Sequence, residues 1–203
     1  MTTLLAIEPS ISSFQELQKR FGIHRAASAA FFPEWQTPTA SLQGSDKAFL
    51  DRLQQRYYNY YDASLLTEGT VLLSIIAPLL EHLGFHEPPF FVRSELPISI
   101  EVTERDEIYR GRIDVLVIRD QLWIVTVEAK RSKFAADIAL PQCLAYMKAA
   151  SQQPSFGMVT NGSDFIFCKL DTDTYNFSEP FSLLSRDNKL YEVASILNRF
   201  KHL

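Results

Sequence analysis

Two acidic residues and a lysine interrupt a stretch of the chain that is otherwise rich in valine and isoleucine. The stretch RGRIDVLVIRDQLWIVTVEAK, residues 110–130, contains Asp114, Glu128 and Lys130. Because residues two apart on a β-strand share a face, Glu128 and Lys130 should point the same way. Two carboxylates and a lysine around one point suit phosphodiester hydrolysis with Mg²⁺, which prefers one or two carboxylates together with water and phosphate oxygens.

Asp114 joins this pair only if the hairpin has the right register. A three-residue turn over residues 119–121 would place Asp114 opposite Thr126 and diagonal to Glu128, with Cβ atoms roughly 7–8 Å apart. A two-residue turn would put Asp114 on the other face of the sheet and would break the site. We therefore expect the three-residue turn.

The elements that must position these residues follow from changes in hydrophobic period along the chain. Helical spacing predicts helices near residues 13–21, 46–62, 67–83, 134–150 and 188–203, and alternation predicts strands over 90–102, 110–120, 121–131, 156–160 and 164–170. Pro78 should bend its helix, since it lacks a backbone donor, and Pro141 suggests a bend or a late start. The expected fold class is α/β, with helices flanking a central mixed, mostly antiparallel sheet.

Composition is that of a globular protein, with 203 residues, 46% hydrophobic residues and a formal net charge of −4. The longest apolar stretch, residues 71–80, is too short to span a bilayer, and the N-terminus shows no secretory signal. We therefore expect a cytoplasmic protein with no membrane partner. Cys143 and Cys168 lie in no CxxC spacing, which favours free buried thiols over a disulfide or a zinc site.

The order of the acids and the lysine resembles a known nuclease signature. Ile113-Asp114 near the start of one strand and Glu128-Ala129-Lys130 at the end of the next resemble the PD-(D/E)XK motif of restriction-endonuclease-like nucleases. Ile113 stands where many members have proline. The motif implies a metal-dependent nuclease fold around this hairpin.

The flanking segments extend the resemblance. Glu68 lies on the first core helix, where the family often supplies another acidic ligand, and IIAPLLEHLGF, residues 75–85, resembles the corresponding helix of type I restriction enzymes. The stretch QCLAY, residues 142–146, is similar to the QxxxY motif of RecB-like and type I nuclease domains. Over about residues 65–170, in the order helix, three strands, helix, strand, the chain resembles the N-terminal nuclease domain of type I restriction enzyme R subunits.

This resemblance implies a restriction-endonuclease-like core at residues 65–203, with a C-terminal helix, after an N-terminal helical extension at residues 1–64. It implies hydrolysis of phosphodiester bonds in nucleic acid, expected to be DNA, with Mg²⁺ as the cofactor and Mn²⁺ as a substitute. It also implies a separate motor or specificity protein as a partner.

The resemblance assigns roles to individual residues as well. The implied metal ligands are Asp114, Glu128, the backbone carbonyl of Ala129 and Glu68. Lys130 would position the attacking water, Gln142 would orient the substrate or the lysine, and Tyr146 would contact nucleic acid.

Basic residues beside the two strands could contact a phosphate backbone. They are Arg110, Arg112, Arg131 and Lys133. An acidic chain that binds nucleic acid must concentrate its positive charge locally, as these residues would do. Each of them is equally compatible with a solvated strand end.

Other interpretations of the same residues stay open. Glu128 and Lys130 are compatible with an exposed cross-strand pair, Glu68 with a helix-terminal charge, and Gln142 with ordinary packing. A nucleic-acid-binding or assembly module could keep the nuclease fold without turnover, and a homodimer built on residues 45–83 would make the acids incidental. Titration with a divalent metal separates these interpretations, because only the nuclease requires a metal site.

Overall fold

The computed structural model describes residues 2–36, 42–102, 106–119, 122–130 and 134–203. Its helices are α1 (Ile7–Ser10), α2 (Phe14–Phe21), α3 (Gly44–Asp62), α4 (Glu68–Val71), α5 (Ala77–His82), α6 (Leu140–Met147) and α7 (Leu190–Phe200). Its strands are β1 (Thr3–Ala6), β2 (His24–Arg25), β3 (Phe90–Val102), β4 (Glu107–Arg119), β5 (Leu122–Ala129), β6 (Ser155–Thr160), β7 (Asp164–Asp171), β8 (Thr174–Phe177) and β9 (Phe181–Ser182). Within these ranges, no helix is both long and apolar enough to cross a membrane.

The strands form one sheet, in which β4 has a continuous neighbour on one side and a broken one on the other. β3 accompanies the whole of β4 in a single antiparallel register. The other side of β4 is therefore shared by β1, which pairs with it as far as Arg110, and by β5, which pairs with it from Val115 onward. The sheet continues from β5 through β6, β7 and β8 to β2.

Antiparallel pairing predominates in this sheet. The pairs β3–β4, β4–β5, β6–β7, β7–β8 and β7–β9 are antiparallel, and the pairs β1–β4, β5–β6 and β2–β8 are parallel. The predicted α/β class with a mixed, mostly antiparallel sheet is confirmed. The elements α4–α5, β3–β5, α6 and β6 also follow the predicted order of helix, three strands, helix and strand.

Two apolar cores lie on the two faces of the sheet. The first core packs α3 to α5 and α7 on one face, with Ile75 and Leu197 among its buried residues. The second core packs α1, α2 and α6 on the other face, with Leu144 among its buried residues. Because successive side chains of a strand alternate, Leu116 belongs to the second core and Val117 to the first.

The helix that begins at Glu68 contains a widened turn just before its proline. A π turn, Leu72–Ile76, joins α4 to α5. Pro78 has no N–H to donate to the Ser74 carbonyl one turn earlier, and that carbonyl instead accepts a hydrogen bond of 3.1 Å from Arg56. The bend that was predicted at Pro78 stays a prediction, and the π turn before it was not predicted.

Helix α6 is shorter than the helix predicted over residues 134–150. It begins at Leu140 with Pro141 in its first turn, where a missing N–H leaves no intrahelical bond unmade. A 3-10 turn, Ala136–Ala139, precedes it. This is the late start that Pro141 suggested.

The N-terminal part differs from the helical extension that was expected at residues 1–64. Helix α2 lies where it was predicted: Ser13 caps its start, and Gly22 ends it with φ 71°. However, β1 and β2 pair with β4 and β8, so this part also contributes two strands to the sheet. The domain boundary at residue 64 stays a prediction.

Candidate functional site

A cavity opens where β4 lacks a strand on one side. β1 pairs with β4 only as far as Arg110, and β5 pairs with β4 only from Val115 onward. In the described pairing, residues 111–114 of β4 are therefore paired with neither β1 nor β5. The cavity has a volume of about 250 Å³. It is lined by residues 6–9 and by Glu68, Arg110, Gly111, Arg112, Asp114, Glu128, Lys130, Gln142 and Tyr146. Most of the predicted site residues therefore meet at one place.

The turn between β4 and β5 is shorter than predicted. Arg119 pairs with Leu122, so two residues separate the strands rather than three. Residues 120–121 lie outside the described part of the chain, but the flanking pair determines the spacing. On its own, a two-residue turn would direct Asp114 to the face opposite Glu128.

A bulge in β5 restores the shared face. The register shifts by one residue beyond Ile118, and Val115 then lies opposite Val127. One step further along both strands, Asp114 is level with Glu128. Beyond an extra residue in a strand, each side chain points to the face of the sheet opposite to the one it would otherwise face. The bulge therefore cancels the effect of the short turn. Asp114 is opposite Glu128 and not diagonal to it, so the predicted register is wrong although both residues line the cavity.

Asp114 is held by the backbone at the end of β5. Its Oδ2 accepts a hydrogen bond of 2.8 Å from the Ala129 N–H. Burial raises the pKa of Asp114, the Ala129 amide and Lys130 oppose this, and the charge of Glu68 adds to it. The carboxyl group thus has a defined orientation at the cavity wall, while the predicted role of the Ala129 carbonyl as a ligand stays a prediction.

Glu128 is a buried acid with one unsatisfied oxygen. Its side chain is 2% exposed, and its Oε1 accepts a hydrogen bond of 3.1 Å from Lys130. Its Oε2 is buried and has no hydrogen-bond partner among the described residues. Burial, reinforced by the charge of Asp114, raises the pKa of Glu128 to about 8, although Lys130 opposes the shift. A buried oxygen without a hydrogen-bond partner destabilises the folded protein, and a proton or a cation bound to it would remove this cost.

Lys130 links Glu128 to Glu8, a residue that the sequence pattern did not single out. Its Nζ lies 3.1 Å from Glu128 Oε1 and 3.2 Å from Glu8 Oε1. Burial acts to lower the pKa of Lys130, but the two carboxylates outweigh burial and raise the pKa above its usual value. The ammonium group is therefore charged. No local pattern marks Glu8, because it reaches the cavity only through the pairing of β1 with β4.

Glu68 lies at the mouth of the cavity. Its side chain is exposed, whereas Ile75 is fully buried, so Glu68 does not share the inward stripe on which it was predicted. Across the described residues, no three His, Cys, Asp or Glu side chains are grouped closely enough to hold a metal ion together. Glu68 therefore contributes charge near Asp114 rather than a third close carboxylate.

Gln142 and Tyr146 form a hydrogen bond on α6. Gln142 Nε2 donates a hydrogen bond of 2.8 Å to the Tyr146 hydroxyl. Burial and the charge of Glu128 raise the pKa of Tyr146 to about 12. The ring is 2% exposed and offers no face to a base. In place of the predicted contact with nucleic acid, Tyr146 holds Gln142 in position.

Gly111 makes room for that tyrosine. A Cβ atom at Gly111 would lie 2.6 Å from Tyr146 Cε1 and 3.2 Å from Ile7 Cδ1. Since the separation from Tyr146 is shorter than real Cβ contacts, β4 can pass Tyr146 this closely only with glycine at position 111. The position of Tyr146 against β4 therefore depends on glycine at position 111.

Two of the four basic residues that were predicted to contact nucleic acid lie in the described part of the chain. Arg110 and Arg112 are exposed and line the cavity. Arg112 lies 3.6 Å from Glu95, and both side chains are mostly exposed, so this ion pair adds little stability. Arg131 and Lys133 lie outside the described residues.

A comparison with protein families matches the same region. Residues 85–176 match the family described as type I restriction enzyme R protein N terminus. The chain resembles this R-protein domain. The predicted resemblance is therefore confirmed, and the matched range contains Asp114, Glu128, Lys130, Gln142 and Tyr146, whereas Glu8 and Glu68 precede it.

A solved structure of a protein from the same kind of restriction enzyme is also similar to this chain. It is the fragment structure of a putative HsdR subunit of a type I restriction enzyme from Vibrio vulnificus YJ016, with 18% identity and a TM-score of 0.40. The match covers 64% of this chain and 26% of that chain, so this chain spans about a quarter of the fragment. A comparison with curated proteins found no match.

Proposed function

We propose that this chain is a metal-dependent nuclease domain that hydrolyses phosphodiester bonds in DNA. One observation carries the proposal: the buried Glu128 has an oxygen without a described hydrogen-bond partner, and it lines a cavity with Asp114 and Lys130. A purely structural buried acid is expected to have both oxygens satisfied. The match to the R-protein N terminus supports the same class of reaction.

The residues present fit a hard divalent cation. Mg²⁺ usually takes one or two protein carboxylates and keeps several waters. Asp114 and Glu128 supply two carboxylates, and a cavity of about 250 Å³ has room for water and phosphate oxygens. A bound Mg²⁺, or Mn²⁺ in its place, would lower the pKa of a water and offset charge on the phosphate. The Ala129 carbonyl would be a further ligand, and Glu68 would act through water.

Lys130 and Gln142 would act on the water and the substrate. The ammonium group of Lys130 lies 3.1 Å from Glu128 and keeps its charge, so it can hold the attacking water by a hydrogen bond. The amide of Gln142 is oriented by Tyr146 before a substrate arrives. Arg110 would contact the phosphate backbone at the cavity mouth.

A second lysine–glutamate pair shows what sets the site apart. Lys169 Nζ lies 2.6 Å from Glu34 Oε1, and Glu34 Oε2 also lacks a described hydrogen-bond partner. The cavity beside Glu34 has a volume of about 310 Å³, and its described lining contains no other acid. The unsatisfied oxygen therefore indicates a metal site only together with the second carboxylate, Asp114.

The partner proposed with this function is a separate motor or specificity protein, as the resemblance implies. No GxxxxGK[ST] motif occurs in the 203 residues, so this sequence contains no recognisable nucleotide-binding loop of that kind. Co-purification with tagged candidates from the same host would test the partnership.

Cleavage of plasmid and single-stranded DNA with Mg²⁺ or Mn²⁺ tests the reaction. Lys130→Ala should stop cleavage but still bind Mn²⁺, because both carboxylates are retained. Asp114→Asn should lose both cleavage and Mn²⁺ binding, with stability unchanged or improved because a repulsion between acids is removed. Lys169→Ala is the matched control, since it also removes a lysine from a mostly buried pair, and it should lower stability without affecting cleavage.

The outcomes separate the competing functions. Cleavage that survives in Lys130→Ala would overturn the proposed role of the lysine. Mn²⁺ binding at Asp114 without any cleavage would favour the inactive nucleic-acid-binding module. If Mn²⁺ bound neither to the wild type nor to Lys130→Ala in calorimetry, the acids would have a structural role only.

A further inference from the structure

Three sulfur atoms meet on α6 and β7, behind the candidate site. Cys143 and Met147 lie one turn apart on α6, and Cys168 lies on β7. Cys143 Sγ is 3.9 Å from Met147 Sδ and 3.9 Å from Cys168 Sγ, and Cys168 Sγ is 3.6 Å from Met147 Sδ. All three side chains are fully buried in the second core. We call this group the sulfur triangle.

The sulfur triangle has the dimensions of a three-coordinate metal site. Its edges place its centre about 2.2 Å from each sulfur atom, close to the length of ~2.3 Å that is typical of a metal–thiolate bond. The side chains therefore need no large movement to bind one ion in their plane.

Gly157 on β6 packs over the sulfur triangle. A Cβ atom at Gly157 would lie 2.8 Å from each of the three sulfur atoms. A point that is equally distant from all three lies over the centre of the triangle. Any side chain at residue 157 would clash with all three sulfur atoms, so β6 can pack over the triangle this closely only with glycine there.

We propose that the sulfur triangle binds one Cu(I) ion through two thiolates and one thioether. Soft sulfur ligands select Cu(I), whereas Mg²⁺ and Mn²⁺ prefer oxygen. Zn²⁺ in a closed site normally has four protein ligands. Among the residues that the structure describes, no His, Asp or Glu is grouped with Cys143 and Cys168 as a third such ligand.

Binding requires no change of oxidation state. As each cysteine sulfur bonds to Cu(I), its thiol proton passes to solvent, and Met147 binds through a neutral lone pair. Gln142 and Tyr146 immediately precede Cys143 and Met147 on α6, so a bound ion would tie the helix of the Gln142–Tyr146 pair to β7. This inference does not rest on the nuclease proposal, and its test uses no cleavage assay.

Sulfur atoms in van der Waals contact have similar spacings, so the test must measure ion binding. Because the site is buried, the full chain would be refolded without oxygen in the presence of Cu(I) and then challenged with a chromophoric Cu(I) chelator. The wild type should retain one ion per chain against the chelator, show an ultraviolet thiolate-to-copper charge-transfer band and melt at a higher temperature. The Cys143→Ser/Cys168→Ser double variant should retain none.

Two methionine variants form the matched comparison. Met147→Leu should weaken Cu(I) retention by about tenfold or more, because it removes one ligand and keeps the volume. Met158→Leu, which changes an equally buried methionine in the other core, should bind as the wild type does. Equal retention by the wild type and the double variant would overturn the site.

X-ray absorption on the loaded wild type needs no variant to fold. It should show three sulfur atoms at about 2.3 Å from copper. A shell of two sulfur atoms, or one of nitrogen and oxygen, would also overturn the proposed ligand set.

Discussion

Glu128 lies in surroundings that satisfy neither of its protonation states fully. As a carboxylate, it leaves Oε2 buried without a described hydrogen bond, and as a carboxylic acid it gives up the charge that pairs with Lys130. A cation beside Asp114 would let Glu128 keep its charge and would satisfy the second oxygen. Burying Glu128 without a full set of partners lowers the stability of the metal-free protein. A bound metal would remove this cost, so the same free energy would increase the affinity for the metal.

Glu128→Gln should stabilise the metal-free protein increasingly as the pH rises. The pKa of Glu128 is raised from its ordinary 4.5 to about 8 in the folded protein. The folded protein therefore holds the Glu128 proton more tightly than the unfolded chain does. This contribution to the stability of the wild type is fully present below the unfolded pKa and is lost as the pH rises through the folded pKa. Glutamine does not titrate, so the advantage of the variant should grow between those values to on the order of 5 kcal/mol, at about 1.4 kcal/mol for each pH unit between the two pKa values. Urea unfolding at several pH values measures it.

Metal should reverse that order. Saturating Mn²⁺ stabilises only a protein that binds it, so the wild type should become the more stable of the two. A Glu128→Gln protein that is less stable than the wild type at pH 8 without metal would be inconsistent with a buried, unsatisfied acid.

The sequence pattern identified the acids and the lysine, but not every residue around them. Alternation along a strand predicted that Glu128 and Lys130 share a face, and both line the cavity. Glu8 could not be predicted, because it lies 122 residues from Lys130 and meets it only after distant strands have paired. The burial of Tyr146 depends on Gly111, whose importance becomes visible only once β4 and α6 are placed together.

At the scale of elements, Gly111→Ala should disturb the contact between β4 and α6. The added Cβ atom would lie 2.6 Å from Tyr146 Cε1, so the tyrosine must move and its bond to Gln142 should weaken. We expect a loss of about 1–3 kcal/mol in the free energy of unfolding, as in other overpacked sites. Cleavage should fall by about tenfold or more through misplacement of Gln142. Chemical denaturation and the cleavage assay measure the two effects.

Gly69→Ala is the matched control for this change. No atom lies within 4 Å of its Cβ position, and it lies in helix α4. Alanine there should be neutral or stabilising by up to about 1 kcal/mol. Equal effects of the two alanines would show that the close approach of β4 to Tyr146 does not shape the site.

The bulge in β5 shows why it was easier to predict which side chains share a face of the sheet than to predict which residues of β4 and β5 are paired. The short turn and the bulge each shift the facing of β5 by one residue, and the two shifts cancel. The run LWIVTV is rich in β-branched residues and has no glycine to mark an extra residue, so its pattern is compatible with either register. Pairing with β4 decides between them.

At the scale of the whole molecule, DNA would meet a chain with a formal net charge of −4. The double variant Arg110→Ala/Arg112→Ala should therefore weaken DNA binding at every sequence and reduce the slope of log affinity against log salt by about 2. KM should rise while kcat changes little, because neither side chain contacts the reacting atoms. Salt-dependent binding and steady-state kinetics measure these changes.

Arg25→Ala provides the comparison for that experiment. Arg25 is exposed on β2, at the end of the sheet remote from β4. It should leave both the affinity and the salt slope unchanged. If Arg25→Ala lowered DNA affinity as much as the double variant, DNA would not be bound specifically at the cavity.

The middle of the chain was predicted well because its signals are local. Helical spacing and strand alternation located α3 and β3 to β7 from neighbouring residues alone. The strands that were missed lack such signals: β8 follows a turn in which Thr172 has φ 57° in place of the usual glycine or asparagine. β1 and β2 are short, and their partners lie more than a hundred positions away.

Those two N-terminal strands set an order of events when the chain folds. Thr3 pairs with Glu107 and His24 with Thr174, so each of these strands has a partner more than a hundred positions later in the sequence. Parallel pairs of such high contact order form slowly. Until they form, the second core lacks Ile7 and Leu17, and the apolar face of α6 has no cover from the N-terminal segment. Because Ile7 and Glu8 directly follow β1 and line the cavity, the wall that they contribute to the candidate site depends on this long-range pairing of β1 with β4.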